Sequence, residues 1–97
     1  MDLNKVDAAE QLIEVDPNIL MLEPREIFDP AVVGWVERCG QDPIACYDYE
    51  KVIDAIIQAN KGIDMNYDDA AEYFSFNVMG SWSGHRTPCF LFKTGVS

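Results

Sequence analysis

The sequence predicts an α+β domain in which three to four short helices pack on a small two- to three-stranded sheet. Three observations lead there. Asp48 opens a stretch whose apolar residues Tyr49, Val52, Ile53, Ile56 and Ile57 recur at helical spacing. Asn66 opens a second such stretch, which Gly80 closes. Two short apolar runs, residues 44–47 and 89–92, have strand length and flank the pair of helices. With 97 residues and 48% apolar content, the chain suits one globular domain and argues against disorder. Residues 1–24 read as an acidic, partly helical arm, and residues 25–97 as a single compact α+β domain.

In chain order, Asn4 is a plausible N-cap for a helix that presents Val6, Ala9, Leu12 and Ile13 and that Pro17 stops. Residues 19–22 form a short apolar run ended by Pro24, read as a small strand or an extended packing segment. Asp29 and Pro30 then resemble an N-cap followed by proline at the first helical position, with Gly40 beyond the far end. A helix over residues 30–39 is therefore expected, although Val32, Val33, Val36 and Gly34 suit a strand better. Residues 41–43 make a turn before the strand at 44–47. Asp48 caps the next helix, and Asn60 with Gly62 is expected to end it through a left-handed residue.

Asn66 caps the last helix, with Met65 placed as a hydrophobic staple and Asp68 and Asp69 favoured by the helix dipole. Its main apolar stripe is Tyr67, Ala70, Ala71, Phe74 and Val78. Tyr73 and Phe76 widen that stripe, which predicts cover on more than one side. In the final run, Phe90 and Phe92 are expected on one face and Leu91 on the other.

Charge narrows the functional classes. The formal net charge is −10, from 17 acids and 7 basic residues. Residues 1–50 hold twelve acids against three bases, whereas residues 51–97 hold five against four. From Tyr73 onward there is no acid, only His85, Arg86 and Lys93. Counterion release by Lys and Arg drives sequence-independent nucleic-acid binding, so direct binding of that kind is not expected. No apolar run approaches the ~20 residues of a membrane span. The first residues lack a basic n-region and an apolar h-region, so no secretory leader is read. Three cysteines, an odd number, fit reduced thiols and a cytoplasmic location.

Candidate chemistry fails at specific residues. Asp64, Asn66 and Asp68 copy the opening of a calcium loop, but Asp69 and Ser75 stand where glycine and glutamate are required. Cys39, Cys46, His85 and Cys89 include the donors of a zinc site, yet the spacing between the first two is too wide. Residues 80–84 look like a nucleophile elbow with Trp82 where serine belongs. No metal or other cofactor is therefore expected. An enzyme would need His85 with Cys89 or a carboxylate, and no motif supports that pair. The loop from Ser81 to Thr87 offers Trp82, His85 and Arg86 between glycines, and Trp and Arg are enriched at binding hot spots. Those three residues are the candidate interaction surface.

The block from Met65 to Phe90 resembles a group of small phage and bacterial proteins with no assigned activity. Their shared pattern is M-x-x-x-x-A-x-E-Y-F-x-[FY]-N-x-x-G-x-x-x-G-x-x-T-P-x-F, met here by Met65, Ala70, Glu72, Tyr73, Phe74, Phe76, Asn77, Gly80, Gly84, Thr87, Pro88 and Phe90. The resemblance extends over about residues 29–92, including Pro43 and Tyr47-Asp48-Tyr49. Similar sequences often carry Glu in place of His85, which weakens an essential role for that histidine. The pattern reads as structural: Asn77 near the helix end, Gly80 at positive φ, and Thr87-Pro88 at entry to the last strand. The leading expectation is a non-enzymatic accessory protein acting through protein contacts, including self-association. The alternatives are an acidic inhibitor that mimics nucleic acid on a host or defence protein, and an enzyme built on His85.

Overall fold

The computed structural model describes residues 7–79, 84 and 86–94. Helix α1 spans Ala8–Val15 and helix α2 spans Arg25–Phe28, with a 3₁₀ turn over Asp29–Ala31. Strand β1 is Val32–Val36 and strand β2 is Ile44–Asp48. Helix α3 is Tyr49–Ala59, followed by a 3₁₀ turn at Lys61–Ile63. Helix α4 is Tyr67–Tyr73 and runs directly into a π-helical segment, Phe74–Val78. Strand β3 is Cys89–Leu91. The described residues thus form an α+β fold, with helices on a three-stranded mixed sheet of order β1-β2-β3.

Strand β2 is central, antiparallel to β1 and parallel to β3. Being covered from both sides, it buries Ile44, Ala45, Tyr47 and Asp48. The expected helix over residues 30–39 is wrong. Asp29 and Pro30 do start a helical turn, but it lasts only to Ala31. The β-branched run that follows then pairs with β2, Val32 opposite Tyr47 and Val36 opposite Ile44. Gly40, read as the stop of that helix, instead holds φ 76° in the turn linking β1 to β2, where the Gln41 amide donates to the Arg38 carbonyl at 2.9 Å.

One apolar core joins the helices to the sheet. Leu12 of α1 is 0% exposed and packs in the same cluster as Ile19, Met21, Leu22 and the α3 residues Val52, Ile53 and Ile56. Burying a side chain of that size contributes roughly 1.5–3 kcal/mol, so residues 8–22 add substantially to the body they precede. Residues 19–22 run as an extended packing segment. The Leu22 amide donates to the Tyr47 hydroxyl at 2.8 Å, tying that segment to the central strand. Burial pushes the Tyr47 phenol up to about 12, so it stays neutral across the physiological range.

Helix α3 begins as expected: the Asp48 carboxylate accepts from the Lys51 amide at 3.2 Å. Its end differs. Asn60 has φ −119° and donates from its side chain to the Ile56 carbonyl at 2.8 Å. The left-handed residue is Asp64, at φ 58°, after one further 3₁₀ turn. Asp and Asn tolerate that region better than other non-glycine residues, which is why the extra turn is accommodated. No helix among the described residues is long and apolar enough to cross a membrane.

Candidate interaction surface

Helix α4 starts from a reciprocal cap. The Asp69 amide donates to Asn66 Oδ1 at 2.8 Å, and the Asn66 amide donates to Asp69 Oδ2 at 3.4 Å. Asn66 and Asp69 therefore serve the helix terminus. From there Ala70, Phe74 and Val78 turn inward and are buried. The π-helical segment is closed by the Met79 amide donating to the Phe74 carbonyl, one residue wider than an α-turn.

The opposite side of this helix faces water. Tyr73 is 42% exposed, Phe76 74% and Met79 52%. All three lie on the water-facing part of α4 and its π-helical extension. The expectation that Tyr73 and Phe76 are covered is thus incorrect, and so is the burial expected for Tyr67, which is also exposed. Tyr67 lies at the helix start, where its hydroxyl donates to Glu50 Oε2 at 3.1 Å. Single exposed apolar residues are ordinary on a folded surface, whereas large contiguous apolar patches are the kind that interfaces use.

The base of the helix is braced by aromatic rings. Phe74 meets Tyr49 edge-on at 5.1 Å and Phe90 edge-on at 4.8 Å. Phe90 lies 6.0 Å from Tyr47, its neighbour across the β2–β3 ladder, and Phe92 stacks on Tyr49 at 4.2 Å. Such pairs contribute roughly 0.5–1.5 kcal/mol beyond their area. The cluster links β2, α3, α4 and β3, and reading each aromatic within its own element does not reveal it. Tyr47, Tyr49, Phe90 and Phe92 alternate along their segments, which is the signal that places Tyr47 and Phe90 on one sheet face.

Asp48 is 2% exposed and meets Lys93 Nζ at 2.9 Å. That hydrogen bond, above all, holds its carboxyl below the usual carboxylate range; burial opposes the shift and the Lys51 amide assists it. Lys93 therefore anchors the chain beyond β3 to the start of α3.

The candidate loop divides. Gly80, Trp82 and His85 lie outside the described residues, so the zinc and His85–Cys89 pairings have no geometry to report. Arg86 points into the protein: its guanidinium pairs with Asp16 and, at 3.2 Å, with Asp42. This clasp joins the chain after α1 to the turn before β2. The Asn18 amide and then Arg86 hold the Asp16 carboxyl below its usual value. Gly84 adopts φ 96°, which a side chain would strain, and its carbonyl accepts from the Thr87 hydroxyl at 2.8 Å. Pro88 is buried immediately before β3, as its place at the strand entry requires. Cys39 is exposed, whereas Cys46 and Cys89 are half-buried ladder neighbours.

An open cleft of about 590 Å³ lies between α2 and α3 over Ile27, Ala31 and Ala55, with Glu26, Lys51 and Asp54 among its lining. A small one of about 110 Å³ brings Tyr73 and Asn77 beside Phe28, Ile56 and Val78. Comparison with protein families, curated proteins and solved structures finds no match for this chain.

Proposed function

We propose that this protein is a non-enzymatic binding module that acts through protein–protein contacts, using the exposed side of α4 and its π-helical extension. The observation that carries the reading is the row Tyr73, Phe76 and Met79, with Phe76 74% exposed on the π-helical extension of a capped helix. Its chemistry suits a protein surface. Aromatic residues and Met are enriched in interface cores, charged residues are depleted, and no acid follows Glu72 in the chain. The candidate residues Trp82 and His85 follow the row in sequence. Net charge of −10 gives the free protein solubility despite this apolar row.

The charge pattern favours this reading over nucleic-acid mimicry. Asp16 and Asp42 face Arg86, Asp29 faces Arg25, and Asp48 faces Lys93. Carboxylates neutralised within the fold add little to a phosphate-like row.

The test is capture from the source cell with the full chain, comparing wild type, Phe76→Ser and a control, Gln41→Ser, in the exposed turn between β1 and β2. The reading expects a protein or a second copy to be retained by wild type and the control, with retention cut at least tenfold by Phe76→Ser. Equal retention by all three overturns it. Retention that collapses between low and moderate salt while ignoring Phe76→Ser would instead support mimicry.

A further inference from the structure

We propose that Cys46 and Cys89 form a modification site: a dithiol that low-molecular-weight disulfides convert into a covalent link between β2 and β3. The parallel ladder pairs the two residues directly, and lateral partners project to the same sheet face. Adjacent strands lie ~4.7–4.9 Å apart. A disulfide requires Cα atoms about 4.4–6.8 Å apart, so the backbone spacing already falls in range. The two thiols lie close enough for Cys89 to raise the Cys46 thiol above its usual value. Cys39, the third cysteine, sits exposed beyond β1 and has no place in this pair.

Access comes from the β1 side. Gly34 is the ladder partner of Cys46 there, and a Cβ built on Gly34 meets no atom within 4 Å. The glycine leaves open space beside this ladder position. Both cysteines are half-buried, which screens them from large reagents and leaves small ones a route.

The step balances as an ordinary exchange. The Cys89 thiolate attacks one sulfur of a disulfide such as oxidised glutathione, forming a Cys89–glutathione bond and releasing one glutathione thiol. Cys46 then loses its proton and attacks the Cys89 sulfur, forming the Cys46–Cys89 bond and releasing the second thiol. Two protein thiols are oxidised and one small disulfide is reduced. Burial first, and then the neighbouring Cys89, push the Cys46 thiol up to about 11. Cys46 is consequently a weak first attacker and takes the second, intramolecular step. The link would close a loop across α3 and α4, restricting the unfolded chain and raising the melting midpoint.

The experiment treats the full-length folded protein with oxidised glutathione and follows intact mass, alkylatable thiols and a non-reducing peptide map. Wild type and Cys39→Ser are expected to lose about 2 Da and two thiols, with the map joining the Cys46 and Cys89 peptides. Dithiothreitol should restore both thiols and lower the raised midpoint. Stable glutathione adducts at Cys89, or products linked only through Cys39, would overturn the proposal. Because the wild-type map reads the bond directly, the outcome does not depend on a Cys46 or Cys89 variant folding.

Discussion

Helices α3 and α4 carry apolar residues at the same spacing, yet one row is enclosed and the other is half in water. Helix α3 contacts α2, α4 and β2, so Val52, Ile53 and Ile56 are buried. Helix α4 packs on α3 and, through Phe74, on the aromatic cluster, leaving Tyr73, Phe76 and Met79 uncovered among the described residues. The physical lesson is that periodicity identifies a row of apolar residues, while the layers around the helix decide whether that row is core. A helix at the edge of a small domain with a stripe wider than its single support must expose the excess.

The largest effect separating the two behaviours belongs to the enclosed side. Leu12→Ala and Ile53→Ala should each destabilise by roughly 2–5 kcal/mol in equilibrium urea unfolding, since both leave a cavity in the common core. A Leu12→Ala loss under about 0.5 kcal/mol would remove α1 from that core. Next comes Asp48→Ala, expected to cost about 1–2 kcal/mol through the lost cap and the lost Lys93 contact.

The same carboxylate sets the acid limb. Asp48 and Asp16 are held below the ordinary aspartate value, so the unfolded chain binds more protons as pH falls. Their stabilisation is complete above that value and drains away as pH drops through the lowered folded values. Asp48→Asn should therefore flatten the loss of stability below about pH 4, measured as midpoint against pH. An unchanged acid limb would detach Asp48 from it. Smaller again is Gly84→Ala, which should cost about 1 kcal/mol because alanine resists φ 96°. At the bottom lies Phe76→Ser, expected within ±0.5 kcal/mol of wild type.

Much of the fold was legible from local signals, and the reasons are specific. The Asp48 and Asn66 caps, the strand at residue 44 and the closing strand each have a marker within a few residues. The helix expected at residues 30–39 failed because its start signals are real but govern only one turn. Pairing with β2, a contact made across the chain, then took over Val32–Val36. The aromatic cluster and the Arg86 clasp were likewise hidden, since Asp16 and Arg86 are 70 residues apart. Arg86 looked like a contact residue because nothing local named its partners. At the candidate surface, the sequence supplied the residues of α4 but assigned Tyr73 and Phe76 to the interior.

The account turns on the exposed row being dispensable to folding, and urea unfolding of a Phe76→Ser/Met79→Ser double variant tests that most directly. The row's exposure predicts a midpoint and slope indistinguishable from wild type, with ΔΔG below about 1 kcal/mol for the two changes together. A loss of roughly 3 kcal/mol or more, the scale of emptied core sites, would show that these side chains hold the domain together and would withdraw α4 as a contact surface.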